Sequence, residues 1–413
     1  MPHSLLITNI EKLILAEENP VHGPLTGKAL ANPPVLDNAF LLVEDQRIAD
    51  FGPMERCPAR ADTTIHAAGR MVLPAWVDSH THLVFAKTRE DEWVDRIKGL
   101  SYEEIAAKGG GILNSARRLQ ETPEEMLFEQ ALERLEEVRR TGTGTIEIKS
   151  GYGLTVKSEL KMLRVVRRLK ESSDLGIKAT FLGAHSVPLE YRNVNRQGYI
   201  DLIINEMLPQ IAGEGLADYL DVFCEKVAFT VAETEVLMEA GARYGLKSKI
   251  HVNQFYCLGG VAAAVKHGAV SVDHLEVVDD ADVEALKTGT TIATLLPTAP
   301  FFLNDHIPPA RKLVDAGLPV ALASDFNPGT SPSGRMPFVV SLACIQMKML
   351  PEEALCAATL NGAFALEWAS DYGSIARGKL ANFILTKPVP SVAYLPYSFG
   401  SDWVEQVFIR GKA

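Results

Sequence analysis

The chain has 413 residues, 47 % of them apolar and 23 % charged, with a formal net charge of −11. That length exceeds one small core and fits a large barrel with a smaller satellite domain, in a composition typical of soluble globular proteins. The acidic balance argues against nucleic acid and anionic membrane surfaces as partners, and no apolar run is long enough to span a bilayer.

The opening "MPHSLLITNI" has no basic segment leading into a long apolar one, so it reads as a first strand rather than a secretion signal, and a cytoplasmic location is expected. Residues 1–70 read as short strands and turns; "AFLLVEDQRIADFGP" alternates and then turns. From 71 to 370, β-branched apolar runs alternate with amphipathic helical runs, the pattern of parallel strands joined by crossover helices. The candidate strands are "MVLPAWVDSH", "GTIEIKS", "KATFLGAH", "YLDVFCEK", "KSKIHVNQ", "AVSVDH", "TTIATLLP" and "PVALASDF". Among the helices, "VKSELKMLRVVRRLK" places Leu160, Leu163, Val166 and Leu169 on one face and a solvated basic face opposite. Residues 371–413, with "GSIARGKLANFILTKP", return to the texture of the start. The expected architecture is therefore a (β/α)8 TIM barrel with a small β-sandwich-like domain built from both termini.

In such a barrel the active site lies at the C-terminal ends of the strands. A doubly wound sheet would carry a glycine-rich phosphate loop after its first strand, whereas here that strand ends in "HTH". The glycines at 109–111 follow a helix-like stretch, and imply a flexible loop near the site. Cys57, Cys224, Cys257, Cys344 and Cys356 lack CxxC spacing, which implies reduced, mostly buried thiols.

The strand ends share a chemistry. The first carries His80 and His82, the third His185, the fifth His251 with Gln254 beyond it, the sixth His274 and the eighth Asp325. Any one of these histidines reads equally well as a satisfied core or capping residue. Five of the ten at equivalent positions, with an aspartate, do not. Three imidazole nitrogens and a carboxylate make a ligand set for a catalytic zinc or iron with a position open for water. His3, His22, His66, His267 and His306 fall elsewhere and receive no role. Arg89 on composition alone reads as a surface partner of Glu90 or Asp91, and Tyr102 and Tyr152 as packing residues. Gly151 and Gly153 suggest a tight loop around Tyr152.

Taken in order along the chain, "DSHTHLVF", "HVNQF", "VDHLE" and "ASDFNPGT" resemble the metal-dependent amidohydrolase superfamily. Within it, "KTREDEW…GLSYEEI", "KSGYGL", "FLGAHSVP", "DVFCE", "CLGG" and "SDFNPGT" resemble the imidazolonepropionase family over nearly the whole length. The resemblance implies one zinc or iron ion per subunit on His80, His82, His251 and Asp325. It implies substrate contacts from Arg89, Tyr102, Tyr152, His185, Gln254, Asn327, Gly329 and Thr330, with Arg89 gripping the substrate carboxylate. Asp325, His274, Gln254 and His185 are the expected catalytic set. The implied reaction opens the ring of 4-imidazolone-5-propanoate in histidine degradation, and the implied assembly is a homodimer.

Two positions depart from the pattern. Ala75 stands where many superfamily members have glycine. Gln254 stands where some relatives have a glutamate proposed as base, so proton transfer falls to Asp325 or to the activated water alone. Lys226, at the end of the fourth strand, is where some relatives carry a carboxylated lysine bridging two metals; one metal is expected here. The alternatives are a mononuclear deaminase of a nucleobase or similar heterocycle, which would not need Arg89 for a carboxylate tail, and a catalytically dead barrel, which would have lost ligands.

Overall fold

The computed structural model of the chain describes residues 4–100, 104–105 and 108–413. Among these, the strands form two sheets. The first draws on both ends of the chain: β1 (Ser4–Ile14), β2 (Val35–Glu44), β3 (Arg47–Pro53), β4 (Thr63–His66) and β5 (Met71–Pro74) join β14 (Phe383–Thr386) and β15 (Val404–Phe408). Its order is β15-β14-β5-β1-β2-β3, with β4 also on β1. The β1–β2 register breaks between Ile7 and Ile10, where Asn9 takes a positive φ of 55°. Such a bulge bends the strand, and β1 pairs with β4 before it and with β5 after it. Ile7, Leu13, Leu41, Phe51, Phe383 and Phe408 form a core of this sheet's own.

The second sheet is the barrel. Its parallel strands are β6 (Trp76–Asp78), β7 (Thr143–Lys149), β8 (Gly176–Ala184), β9 (Tyr219–Cys224), β10 (Lys247–Val252), β11 (Ser271–His274), β12 (Ile292–Leu295) and β13 (Val320–Leu322), each beside its neighbour in sequence. A parallel bridge between Thr81 and Phe326 joins first strand to last. Around it the Asp325 amide donates to the His80 carbonyl (3.0 Å) and the His82 amide to the Phe326 carbonyl (2.9 Å). The expected (β/α)8 barrel is present, and every proposed strand segment overlaps one of its strands, β7 and β8 beginning one and two residues before theirs.

One boundary differs from expectation. "MVLPAWVDSH" is two strands in different sheets, broken at Ala75. The Ala75 amide donates to Asn382 of the terminal sheet and the next amide, of Trp76, to Gly142 of the barrel, so the chain changes partners without a turn residue to announce it. His80 and His82 therefore lie just past β6, on the segment that closes the barrel. The opposing Gly144 has no room for a side chain, since a Cβ there would lie 2.6 Å from that of Ala75.

Alternation decides what enters the barrel. In β7, Ile146 and Ile148 face the hydrophobic core while Thr145, Glu147 and Lys149 share the other face. In β10, Lys249 and His251 share a face in the same way. The helix Val156–Ser172 buries Leu160, Leu163, Val166 and Leu169, and its N-cap Thr155 accepts from the Ser158 amide. Each such side chain contributes about 1.5–3 kcal/mol of burial. The long connection after β6 contains the helices Glu90–Ile97, Ile112–Glu121 and Glu124–Arg140. No helix among the described residues is long and apolar enough to cross a membrane. All five cysteines are free, but only Cys224 and Cys356 are buried and Cys257 is exposed, so the thiols are less sheltered than their scatter suggested.

Candidate metal centre and substrate pocket

At the C-terminal end of the barrel, ring nitrogens and a carboxylate converge. His82 Nε2 lies 3.2 Å from His251 Nε2 and 3.5 Å from Asp325 Oδ1. His80 Nε2 lies 3.6 Å from the same oxygen and, although buried, has no hydrogen-bond partner among the described residues. A tetrahedral ion with bonds of about 2.0–2.1 Å would hold its donors roughly 3.3 Å apart, the size of these three separations; His80, His82 and Asp325 form one group of donor atoms within 4.8 Å of one another, and His80, His251 and His274 form a second. Orientation agrees. The His80 Nδ1–H donates to Asp273 Oδ2 at 2.6 Å, which leaves Nε2 as a lone pair. His251 Nδ1 lies 2.9 Å from Asp221 Oδ2, a close electrostatic contact rather than an aligned hydrogen bond. Burial, reinforced for His80 and His251 by Lys149 and for His82 by His185, pushes all three imidazoles well below the ordinary histidine range. They are neutral, as metal ligands must be.

His274 belongs to the same cluster, its ring within reach of His80 and His251. Its Nδ1 contacts Glu276 Oε1 at 3.1 Å. Burial lowers this imidazole, but the charge and hydrogen bond of Glu276, with Asp325 and Asp273 nearby, outweigh burial and hold it at about 9. His274 is thus shifted in the opposite direction from His80, His82 and His251. Burial pushes Asp325 up to about 7, against the opposing pull of His274 and Asn327. Both residues sit at positive φ, 90° for His274 and 52° for Asp325, a costly backbone geometry that gathers at functional sites.

A cavity of about 230 Å³ opens beside the cluster, lined by His82, Arg89, Tyr152, His185, Gln254 and His274, and by Asp325, Asn327 and Thr330. The Arg89 side chain is only 8 % exposed, and among the described residues its nearest carboxylate is Glu92 at 3.8 Å, beyond hydrogen-bond range, rather than Glu90 or Asp91. Its Nη2 lies 1.0 Å from where a Cβ of Gly329 would stand. Gly329 therefore makes room for the guanidinium. The Asn327 side chain orders the turn by accepting from the Gly329 and Thr330 amides, each at 2.8 Å. The His185 Nδ1–H donates to the Gly151 carbonyl at 3.1 Å, and burial drives the ring down to about 4. Its Nε2 is then an acceptor. Tyr152 is buried, 5.3 Å from the His185 ring centre. Tyr102 lies outside the described residues.

Several features had escaped sequence reasoning. The Glu159 carboxylate clamps the Tyr152 loop by accepting from the amides of Gly151 (3.1 Å), Gly153 (2.7 Å) and Leu154 (2.9 Å). Of the glycines at 109–111, Gly111 caps the helix Ile112–Glu121, and its amide donates to Glu92. Phe223, Val227, Phe255 and Tyr256 complete the apolar wall. Lys226, at the position where some relatives carry a bridging lysine, is exposed over the Tyr256 ring (5.1 Å). Glu147, Lys149, Asp221, Lys249 and Asp273 are wholly buried inside the barrel. The signal for these was present in the alternation of "TIEIK" and "KSKIHV", which puts charges on the inward face.

Residues 71–413 match the family model described as Amidohydrolase family, and the chain belongs to that metal-dependent family. Curated relatives narrow the assignment. The chain is 54 % identical to a protein of Christiangramia forsetii named imidazolonepropionase, covering 99 % of each sequence. It is 55 % identical to one of the same name from Flavobacterium johnsoniae, covering 98 % of this chain and 99 % of that one. By these relatives the chain belongs to the imidazolonepropionase family. Among solved structures, a triazine hydrolase variant superposes with a TM-score of 0.75 at 16 % identity, over 99 % of this chain and 94 % of that one. A zinc-containing adenosine deaminase from Xanthomonas campestris gives 0.69 at 17 %, over 99 % and 92 %. Those two share the fold.

Proposed function

We propose that the protein is an imidazolonepropionase: a hydrolase that opens 4-imidazolone-5-propanoate to N-formimidoyl-L-glutamate by adding water across the ring amide. The observation that carries this reading is a small cavity with a buried, incompletely paired arginine among its walls beside three neutral histidines and an aspartate. A deaminase substrate without a carboxylate would have no use for that arginine, so the ring-opening reading is favoured over the deaminase.

His80, His82, His251 and Asp325 would hold one zinc or iron ion per subunit, in a cytoplasmic homodimer. When bound, such an ion lowers the pKa of a water to about 7 and polarises the substrate carbonyl. The remaining work belongs to the chain. Arg89 binds the propionate by a charge-assisted fork, helped by Tyr102 and Tyr152. The His185 acceptor and the Gln254, Asn327 and Thr330 side chains hold the ring. Asp325 takes a proton from the attacking water and returns it to the departing ring nitrogen as the C–N bond breaks. Gln254 cannot do this, being neutral. The His274 imidazolium donates to the developing oxyanion, with Glu276 keeping it charged.

Replacement of Asp325 by Asn tests the assignment. Turnover is expected to disappear; substantial activity in a folded, metal-replete Asp325→Asn protein would remove Asp325 from the proton path.

A further inference from the structure

The barrel interior beneath the histidines is charged where an ordinary barrel is filled with branched apolar side chains. Glu147 and Lys149 on β7, Asp221 on β9, Lys249 on β10 and Asp273 on β11 are all fully buried. Replacing buried ion pairs by apolar residues of similar volume is often neutral or stabilising, so stability alone is a weak account of the network. Its connectivity supplies another. Lys149 Nζ lies 2.6 Å from Glu147 Oε1, 2.8 Å from Asp221 Oδ2 and 3.7 Å from Asp273 Oδ2. Asp221 and Asp273 are the carboxylates that contact His251 and His80, at 2.9 Å and 2.6 Å. One ammonium thus contacts Asp221 directly and lies within electrostatic range, 3.7 Å, of Asp273, the two carboxylates beside two histidines whose rings are 4.4 Å apart; Asp221 also accepts from the His251 amide at 3.1 Å. Lys249 Nζ holds Glu147 Oε2 and the Ser79 carbonyl, and its charge also acts on Asp273, without a contact to Asp221.

We propose that Lys149 is a positioning residue for the metal centre: it fixes Asp221 and Asp273 in one arrangement and so sets the His251 and His80 lone pairs relative to each other. The inference rests on the ligand set proposed above. Outer partners of this kind are worth about 10–100-fold in metal affinity when removed.

Deleting the lysine alone would leave three buried carboxylates against one ammonium. The decisive variant is therefore Glu147→Gln with Lys149→Met, which removes one charge of each sign and keeps the network's net charge while breaking the tether. Protein loaded with Co2+ is transferred into a chromogenic chelator, and both the rate of metal loss and the visible d–d spectrum are followed. The double variant, folded by circular dichroism, is expected to lose Co2+ about 10–100-fold faster than the parent, with an altered spectrum and with KM changed less than twofold. Parent-like release with a parent-like spectrum overturns the proposal. If the double variant does not fold, Lys149→Arg is read in the same assay and by the same two outcomes, because the wider guanidinium keeps the charge but cannot occupy the ammonium's place among three carboxylates. His251→Ala is the control for the ligand set. It is expected to retain no tightly bound Co2+; retention there would fail the ligand assignment, separately from the role of Lys149.

Discussion

Arg89→Met removes the guanidinium that the pocket offers to a substrate carboxylate. Arg89 is 8 % exposed, and among the described residues its nearest carboxylate stands at 3.8 Å and its Nε is buried without a partner. The guanidinium therefore has hydrogen-bonding capacity in hand for an incoming anion. Truncating one member of a buried, hydrogen-bonded charge pair costs about 2–5 kcal/mol, much of it from the other charge left unpaired. Because the carboxylate is remote from the reacting carbonyl, most of this loss is of binding common to ground and transition states. About two to four kcal/mol corresponds to about 30- to 1,000-fold in kcat/KM, carried by KM with kcat changed little. The assay follows the decay of imidazolone absorbance on freshly generated substrate, alongside metal content to show that the centre is intact. An unchanged KM in a metal-replete Arg89→Met protein would refute the carboxylate grip.

Other perturbations have equally definite outcomes. Gly329→Ala puts a Cβ 1.0 Å from Arg89 Nη2 and must displace the guanidinium, so KM should rise at least tenfold, with Tm nearly unchanged because Arg89 is flexible and the turn is ordered by Asn327; an unaltered KM would mean the arginine has another productive position. Glu276→Gln removes the main charge that raises His274, so the imidazolium should lose its proton at lower pH than its present value of about 9. In the proposed mechanism activity depends on that proton, so the alkaline limb of the kcat/KM profile should move toward neutrality; an unmoved limb excludes His274 as the charged donor. Cys257 is exposed, yet desolvation and the neighbouring Asp282 push its thiol up to about 11. Its alkylation by iodoacetamide should be slow at pH 7 and rise roughly tenfold per pH unit, as only the thiolate reacts. Rapid labelling at neutral pH would contradict that environment.

The barrel was legible because parallel strands and crossover helices have different periods, and because five histidines and an aspartate recur at strand ends. What local pattern could not give was set by contacts distant in sequence. Arg89 looked like a surface residue beside Glu90 and Asp91; its burial depends on the backbone at Gly329, 240 positions away in the chain. The break at Ala75 was hidden because a strand that changes sheets needs new hydrogen-bond partners, not a turn sequence. Glu147, Lys149 and Asp221 sat inside segments already assigned as strands, and a charge in a strand is ordinarily turned toward water. Only closure of the barrel makes that face an interior. Gln254 shows the converse: the residue type alone, a neutral amide, assigned proton transfer elsewhere.

The most direct measurement is identification of the product formed from 4-imidazolone-5-propanoate by metal-loaded and chelator-stripped protein. The loaded protein should convert it to N-formimidoyl-L-glutamate, a net gain of one water with no ammonia released, and the stripped protein should do so only after zinc or iron is restored. Ammonia release, or no turnover by metal-replete protein, would contradict the assignment.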